Sequence, residues 1–354
     1  MKPDASATRP ALILGGAGFI GTNLADRLCR EGRPVIVYDS LVRPGTERNL
    51  EWLVGQHGDL IRPLVADIRE RPALHAAVAN AEVVFHLAAQ VAVTTSLQSP
   101  REDFEVNLGA TVQLLELLRE HRTPPPLIFA STNKVYGDLG GVDLELTPQG
   151  YQPVDLPLRR FGVGEDQPLS FHTPYGCSKG AADQYVLDYA RSFGLCATVL
   201  RMSCIYGEHQ QGNEDQGWVA HFVRQALRGE AITLYGDGQQ VRDILAVSDA
   251  VSAYLAAWRA IDRVSGRAFN LGGGPSNAVS LRQVIDQIGQ ATGRPLEVQH
   301  GPWRAGDQRY FVSDARAARE ALALPPPLGW HQGLDRLIDW CASADRLRLE
   351  EAAA

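Results

Sequence analysis

A chain of 354 residues with 45% hydrophobic side chains can bury a sizeable core, and a formal net charge of −7 argues against nucleic acid as a partner. No run approaches the roughly 20 apolar residues needed to span a bilayer, so no membrane role is expected. Five cysteines without CxxC or Cys/His spacing argue against a disulfide framework and against a metal site. Reduced thiols and a polar lead over residues 1–10, without signal-peptide character, set the expectation of a cytoplasmic protein.

Strand-like and helix-like stretches alternate from the start. The apolar run 11–14 is followed by glycines and then by an amphipathic stretch over 18–31. Further runs rich in Val, Ile and Leu lie at 34–38, 61–66, 83–88, 127–130 and 197–202, as strands buried on both faces should read. Helical patterns stand between them, among others at 108–121 and 177–193. Repeated strand–helix units predict an α/β fold built on a doubly wound parallel sheet. Segment 143–173 breaks the rhythm; rich in Pro and Gly, it reads as a lid or substrate-facing excursion, the alternative being a surface insertion. The chain is expected to return to the sheet over 241–258, and the residues from 342 read as a frayed helical tail.

Gly15, Gly18 and Gly21 punctuate GGAGFIG directly between the first strand and the first helix, with Phe19 and Ile20 inside the same turn. Glycine permits positive φ and lets backbone N–H groups approach a pyrophosphate, and the helix N-terminus adds a favourable dipole. Asp39 ends VIVYD, 18 residues after Gly21, where a carboxylate accepts ribose hydroxyls and repels a 2′-phosphate. That favours NAD over NADP as cofactor; the competing role for Asp39 is a helix N-cap. Asp67 and Ile68, after the third strand, would flank the adenine. Ala88 and Ala89 in HLAAQ would let the cofactor lie against a strand tip, or would serve tight strand–helix packing alone.

Tyr175 and Lys179 stand four residues apart in YGCSK, on one face of a helix. An ammonium there favours the phenolate and lowers the tyrosine pKa. A tyrosine so tuned can take a hydroxyl proton while hydride leaves the same carbon. Upstream, LIFASTNKVYG ends a strand in Ser131 and Thr132, placed to bond a reacting oxygen or to cap a helix. Asn107, opening the 108–121 helix, reads as an N-cap without chemistry.

Together the glycine fingerprint, Asp39, HLAA, the Ser/Thr strand and Tyr-x-x-x-Lys resemble the extended short-chain dehydrogenase/reductase superfamily, over about residues 11–340. More narrowly, STNKVYGD, FHTPYGCSKGAADQY, DQGW, QVRD and DQRYFVSD resemble the CDP-paratose (CDP-tyvelose) 2-epimerase subfamily. The resemblance implies a Rossmann-type sheet over 10–204 and 241–270, with 143–173 inserted, and a smaller nucleotide-sugar-binding lobe over 205–240 and 271–341. It implies a nucleotide-diphosphate sugar as substrate and inversion at C2. Tightly bound NAD would oxidise the sugar, the ketone would rotate, and hydride would return to the other face. Tyr175 would be base then acid, Lys179 would tune it and bind the nicotinamide ribose, and Thr132 would orient the reacting hydroxyl. Where related 4,6-dehydratases carry Asp and Glu after the threonine, this chain has Asn133 and Lys134, which disfavours dehydration; both are expected in the substrate pocket, a solvated turn being the alternative for Lys134. Arg242 in QVRD and Arg304 in RAGD would grip the diphosphate, or pair with nearby carboxylates. Gln216 and Trp218 in DQGW would line the nucleotide pocket, Trp218 alternatively packing the lobe core. By the same likeness a homodimer or homotetramer is expected through the 108–121 and 177–193 helices. The rival activities are 4-epimerisation and a reductase or dehydratase reaction.

Overall fold

The computed structural model describes residues 9–353 other than 294, 295 and 305, with side chains as far as residue 344. Most of the lead expected at 1–10 therefore lies outside the described residues. Seven strands form one parallel sheet in the order Ala268–Leu271, Ala197–Met202, Leu127–Thr132, Val83–His86, Ala11–Leu14, Val35–Asp39, Ile61–Val65. The central strands are buried at every position because helices cover both faces. One apolar layer gathers Ile13, Leu24, Leu28, Phe85, Tyr254 and Phe269. The other gathers Leu12, Leu14, Val84, Leu114, Phe129 and Val186. Each such side chain contributes roughly 1.5–3 kcal/mol through burial.

The strand order reverses at Ala11–Leu14, where Leu14 stands beside Tyr38 on one side and His86 on the other. Crossovers leave in opposite directions from that point, so the carboxyl ends of the strands open a crevice there. Gly15, Asp39, His86 and Thr132 all lie at or just beyond those ends.

Three expectations change. Strand Ile61–Val65 is not buried on both faces: it is the sheet edge, with Arg62, Pro63 and Val65 exposed. A proline is tolerated at an edge, which needs no second hydrogen-bonding partner. The return to the main sheet is made by Ala268–Leu271, parallel to Ala197–Met202, and not at 241–258. Val241–Ala246 instead pairs with Cys204–Tyr206, Ala278–Ser280 and Tyr310–Phe311 in a separate small sheet, and only the helix Val247–Arg259 lies on the main sheet. A strand buried along its whole length reads alike in either sheet. The segment 143–173 is not structureless: it holds the hairpin Leu144–Thr147/Gly150–Pro153 and the helix Leu156–Phe161.

The smaller lobe has its own core of Tyr206, Phe222, Val223, Ile232, Ile285 and Leu337. The tail expected to be helical from 342 is the end of a helix that spans Trp330–Ala353. No helix of the structure is long and apolar enough to cross a membrane among the described residues.

Candidate active site

The glycine turn is built by close approach. Gly15 has φ +78°, and a Cβ on it would stand 2.7 Å from the Ala88 nitrogen. A Cβ on Gly21 would stand 2.2 Å from the Gly15 carbonyl oxygen. Gly18 precedes the helix Phe19–Arg30, whose first turn has neither an acidic residue nor a capping side chain. Its N–H groups have no cap from the helix itself, and among the described residues only the Asp39 carboxylate approaches the turn that leads into it, so a positive end of the kind a pyrophosphate needs is available. Phe19 and Ile20 begin that helix and pack against the apolar layer below. The Asp39 carboxylate accepts from the Ala17 N–H at 3.0 Å and the Leu41 N–H at 3.0 Å, so it braces the turn and caps no helix. Ile68 is buried beside Tyr38, whose hydroxyl donates to the Asp67 carbonyl at 2.7 Å. The Asp67 carboxylate is held by Arg69. Ala88 and Ala89 are half-buried at the strand tip. These residues fit a dinucleotide: a cradle that any Cβ would fill, a free helix end and a carboxylate at the second strand.

Substitution separates the roles of the glycines. Gly21→Ala forces the turn open and lowers both thermal stability and NAD content. Gly18→Ala, whose Cβ would meet only the Gly15 oxygen at 3.1 Å, lowers NAD content at least tenfold with little change in melting temperature. Melting curves and NAD released on denaturation check both; equal losses of stability in the two variants refute the distinction.

Pro174 stands in the first turn of the helix Thr173–Phe193, which carries Tyr175 and Lys179 on one face. Tyr175 faces Thr132 on the strand Leu127–Thr132, close enough for that hydroxyl to favour its phenolate. Burial pushes the Tyr175 phenol up to about 12, opposed by Thr132 and by the Arg43 guanidinium and reinforced by Asp103. The expected lowering by Lys179 is not found: the groups that favour the phenolate are Thr132 and Arg43, and desolvation dominates both. Burial brings Lys179 down to about 7, against the pull of Asp183 and Asp103. Its Nζ lies 4.3 Å from the centroid of the Phe129 ring.

Ser131 and Thr132 diverge. Thr132 faces Tyr175 and also accepts from the Lys134 N–H at 3.2 Å. Ser131, expected beside the substrate, instead donates to Asp183 at 2.7 Å, where Arg201 already pairs with the same carboxylate at 2.9 Å. Successive strand residues point to opposite faces, so only one of the two can reach the crevice.

Beyond Thr132, Asn133 and Lys134 converge on Gln308, whose amide oxygen accepts from both at 3.3 Å. Lys134 is brought down to about 8 by burial and then by the Arg242 charge. Arg242 is buried and donates to Asp307 at 2.7 Å and to the Gln308 carbonyl. Arg304 lies 3.7 Å over the Tyr235 ring and pairs with Asp215 at 3.3 Å. Both arginines thus pair with carboxylates, as their alternative role had it, but Arg242 not with Asp243 and Arg304 not with Asp307, their respective neighbours in sequence. Gln216 accepts from Arg43 at 2.5 Å, across the crevice from the glycine turn. Trp218 starts the helix Trp218–Arg228 and packs edge-on to Phe222 in the lobe core, its centroid 5.5 Å away.

Asn107 is no N-cap. It sits in a π-turn, Glu105–Gly109, between two helices, and its amide bonds Gln90, Asp103 and Ser178. Asp103, Arg43 and Gln308 were not singled out from the sequence. The only signals were local: Asp103 four residues before Asn107, and Arg43 four after Asp39. No group of three or more His, Cys, Asp or Glu suited to a metal occurs among the described residues.

A family model described as the NAD dependent epimerase/dehydratase family matches residues 11–272. The chain is 39% identical to the CDP-paratose 2-epimerase of Salmonella typhi, over 94% of this chain and 99% of that protein. It is 31% identical to the dTDP-glucose 4,6-dehydratase of Mycolicibacterium smegmatis, over 93% of this chain and 92% of that protein. Among solved structures, the UDP-glucose 4-epimerase of Thermus thermophilus, in complex with NAD, is similar with a TM-score of 0.79 and 29% identity. That likeness covers 95% of this chain and 99% of that one.

Proposed function

The chain belongs to the NAD dependent epimerase/dehydratase family, and from that premise we propose that it inverts C2 of the sugar in a CDP-hexose or CDP-dideoxyhexose, with no net redox change. It is an NAD-dependent enzyme of the nucleotide-sugar epimerase/dehydratase superfamily. The observation that carries the finer reading is its identity to a CDP-sugar 2-epimerase, which stands above that to a dehydratase and to a 4-epimerase.

The glycine turn and Asp39 would hold NAD, which would supply a reversible hydride acceptor and positive charge beside Tyr175. A C2 hydrogen on such a sugar has no neighbouring carbonyl, so direct proton abstraction has no stabilised carbanion to lead to. Tyr175 takes the proton of the reacting hydroxyl and gives it back after the sugar ketone has turned over. Thr132, facing Tyr175, orients that hydroxyl. Lys179 favours the phenolate and holds the ribose beside it. Asn133, an amide fixed on Gln308, cannot pass a proton to a leaving hydroxyl, which supports epimerisation over dehydration. Lys134 faces the sugar, and Arg242 and Arg304 exchange carboxylate for diphosphate, with Gln216 and Trp218 at the base. The segment 143–173 closes over the sugar, and the protein acts in the cytoplasm. Exposed Phe104, Tyr185 and Phe193, on or beside the helices that would pair, suit a homodimer or homotetramer.

The test is incubation without added cofactor with CDP-paratose, CDP-glucose and UDP-glucose, followed by proton NMR in D₂O. A 2-epimer retaining its C2 hydrogen is the expected product. Inversion at C4, or loss of water, overturns the C2 reading.

A further inference from the structure

We propose that Asp103 is the positioning residue that ties the Tyr175/Lys179 helix to the turn behind the cofactor strand and sets a buried negative charge beside that helix. The proposal rests on Tyr175 and Lys179 being the acid–base pair. Asp103 lies on the short helix Pro100–Phe104 and is 0% exposed. Its carboxylate accepts from the Ser178 hydroxyl, from the Gln90 amide at 3.0 Å and from the Asn107 amide at 3.1 Å. Ser178 immediately precedes Lys179. Gln90 follows Ala88 and Ala89, and its own N–H donates to Asn107 at 2.9 Å. One buried carboxylate thus joins the strand tip under the dinucleotide to the helix that does the chemistry.

Its partners are all neutral. Asp103 forms no ion pair with Lys, Arg or His among the described residues, although a buried carboxylate without a cation is costly. The charged and titratable groups around Lys179 leave it one free counter-charge. On its own helix, Asp183 is held by Arg201 through two bonds of 2.9 Å. Tyr175 is a neutral phenol in the protein's own field. From the strand Val83–His86, His86 is driven to about 3 by burial and carries no charge. Arg43 acts on Tyr175 from beyond the second strand. Next to Asp103, Arg101 and Glu105 pair with each other at the surface at 2.8 Å. Further along the helix, Glu116 is taken by Arg119 and the Tyr189 hydroxyl. Asp183 raises Lys179 first and Asp103 with it, against the burial that would discharge it; of the two only Asp103 has no cation of its own among the described residues, and burial raises its carboxyl above the ordinary value.

The sign of its effect is specific. Neutralising Asp103 lets Lys179 lose its proton at lower pH and, by removing a repelling anion, lets Tyr175 ionise at lower pH as well. Asp103→Asn keeps an acceptor for Gln90 and Asn107, removes the charge, and turns the atom facing the Ser178 hydroxyl from an acceptor into a donor. NMR titration of ¹³C-labelled lysine in the NAD-bound protein, with the Lys179 signal assigned by its loss in Lys179→Met, is expected to show the Asp103→Asn midpoint about one unit or more lower. Asp103→Glu, which restores the charge, recovers most of the shift. The alkaline limb of the activity–pH profile moves with the midpoint. An unmoved midpoint overturns the proposal. Should Asp103→Asn not fold, ¹³C-carboxyl titration of the wild-type protein decides: an Asp103 carboxyl still protonated at pH 7 overturns the proposal, and an ionised one supports it. Because the midpoint is read without turnover, a wrong sugar assignment leaves this result standing.

Discussion

Tyr175→Phe removes one hydroxyl from a buried ring and is expected to lower kcat on the order of a thousandfold while leaving the fold intact. General acid–base groups contribute typically ~10²–10⁴ to a rate, and among the described residues no other phenol or imidazole faces Thr132. Among the described residues the hydroxyl has no structural partner other than Thr132, and its burial already disfavours the ionised form. The variant should therefore retain NAD, keep its melting temperature within a few degrees and bind the nucleotide sugar with little change in affinity. The split is diagnostic: kcat collapses and KM does not. A loss below about tenfold would assign proton transfer to another group, and Lys134, brought down to about 8 beside Thr132, is the one to examine next.

Lys179→Met is expected to cost at least a hundredfold in kcat and yet to stabilise the fold. The ammonium is buried and lowered from its ordinary 10.5 to about 7, chiefly by desolvation. Below pH 7 both folded and unfolded chains hold the proton, and the full burial penalty of several kcal/mol is present. Between 7 and 10.5 the unfolded chain still holds a proton that the folded chain has released, so stability rises with pH across that window. Methionine removes the charge, keeps the apolar stem against Phe129, and removes this pH dependence. Denaturant unfolding at pH 6 through 10 should show the variant ahead by most at pH 6, with the gap closing toward pH 10. A gap that stays constant with pH means that the lysine is not desolvated in the way its surroundings indicate. Activity lost while stability is gained is the pattern of a residue retained for chemistry.

What was legible in the sequence was what neighbouring residues decide together. The glycine turn, Asp39 at the end of VIVYD and the Tyr175/Lys179 spacing all concern contacts within one turn, one strand end or one helix face. Backbone sterics and helical repeat act over a few residues, and the structure places these elements at the crevice where the strand order reverses. The likeness of longer strings carried the family, because many residues had to agree at once.

Tertiary structure decided which buried polar groups meet. Ser131 and Thr132 read as equivalent hydroxyls, and only the partner 52 residues away, Asp183, takes Ser131 out of the crevice. Asn107 read as a cap until the chain closed it onto Gln90 and Ser178. Asp103 had no signal of its own, since its bond to Ser178 spans 75 residues. Val241–Ala246 is buried at every position, Arg242 and Asp243 included, and its sheet was chosen by pairing with Cys204–Tyr206 and Ala278–Ser280. Local preferences set φ, helix faces and turns, whereas the partner of a buried carboxylate or the sheet that a buried strand joins is set by long-range closure. That closure is driven by non-directional apolar burial, which leaves no periodic mark at the polar positions it brings together.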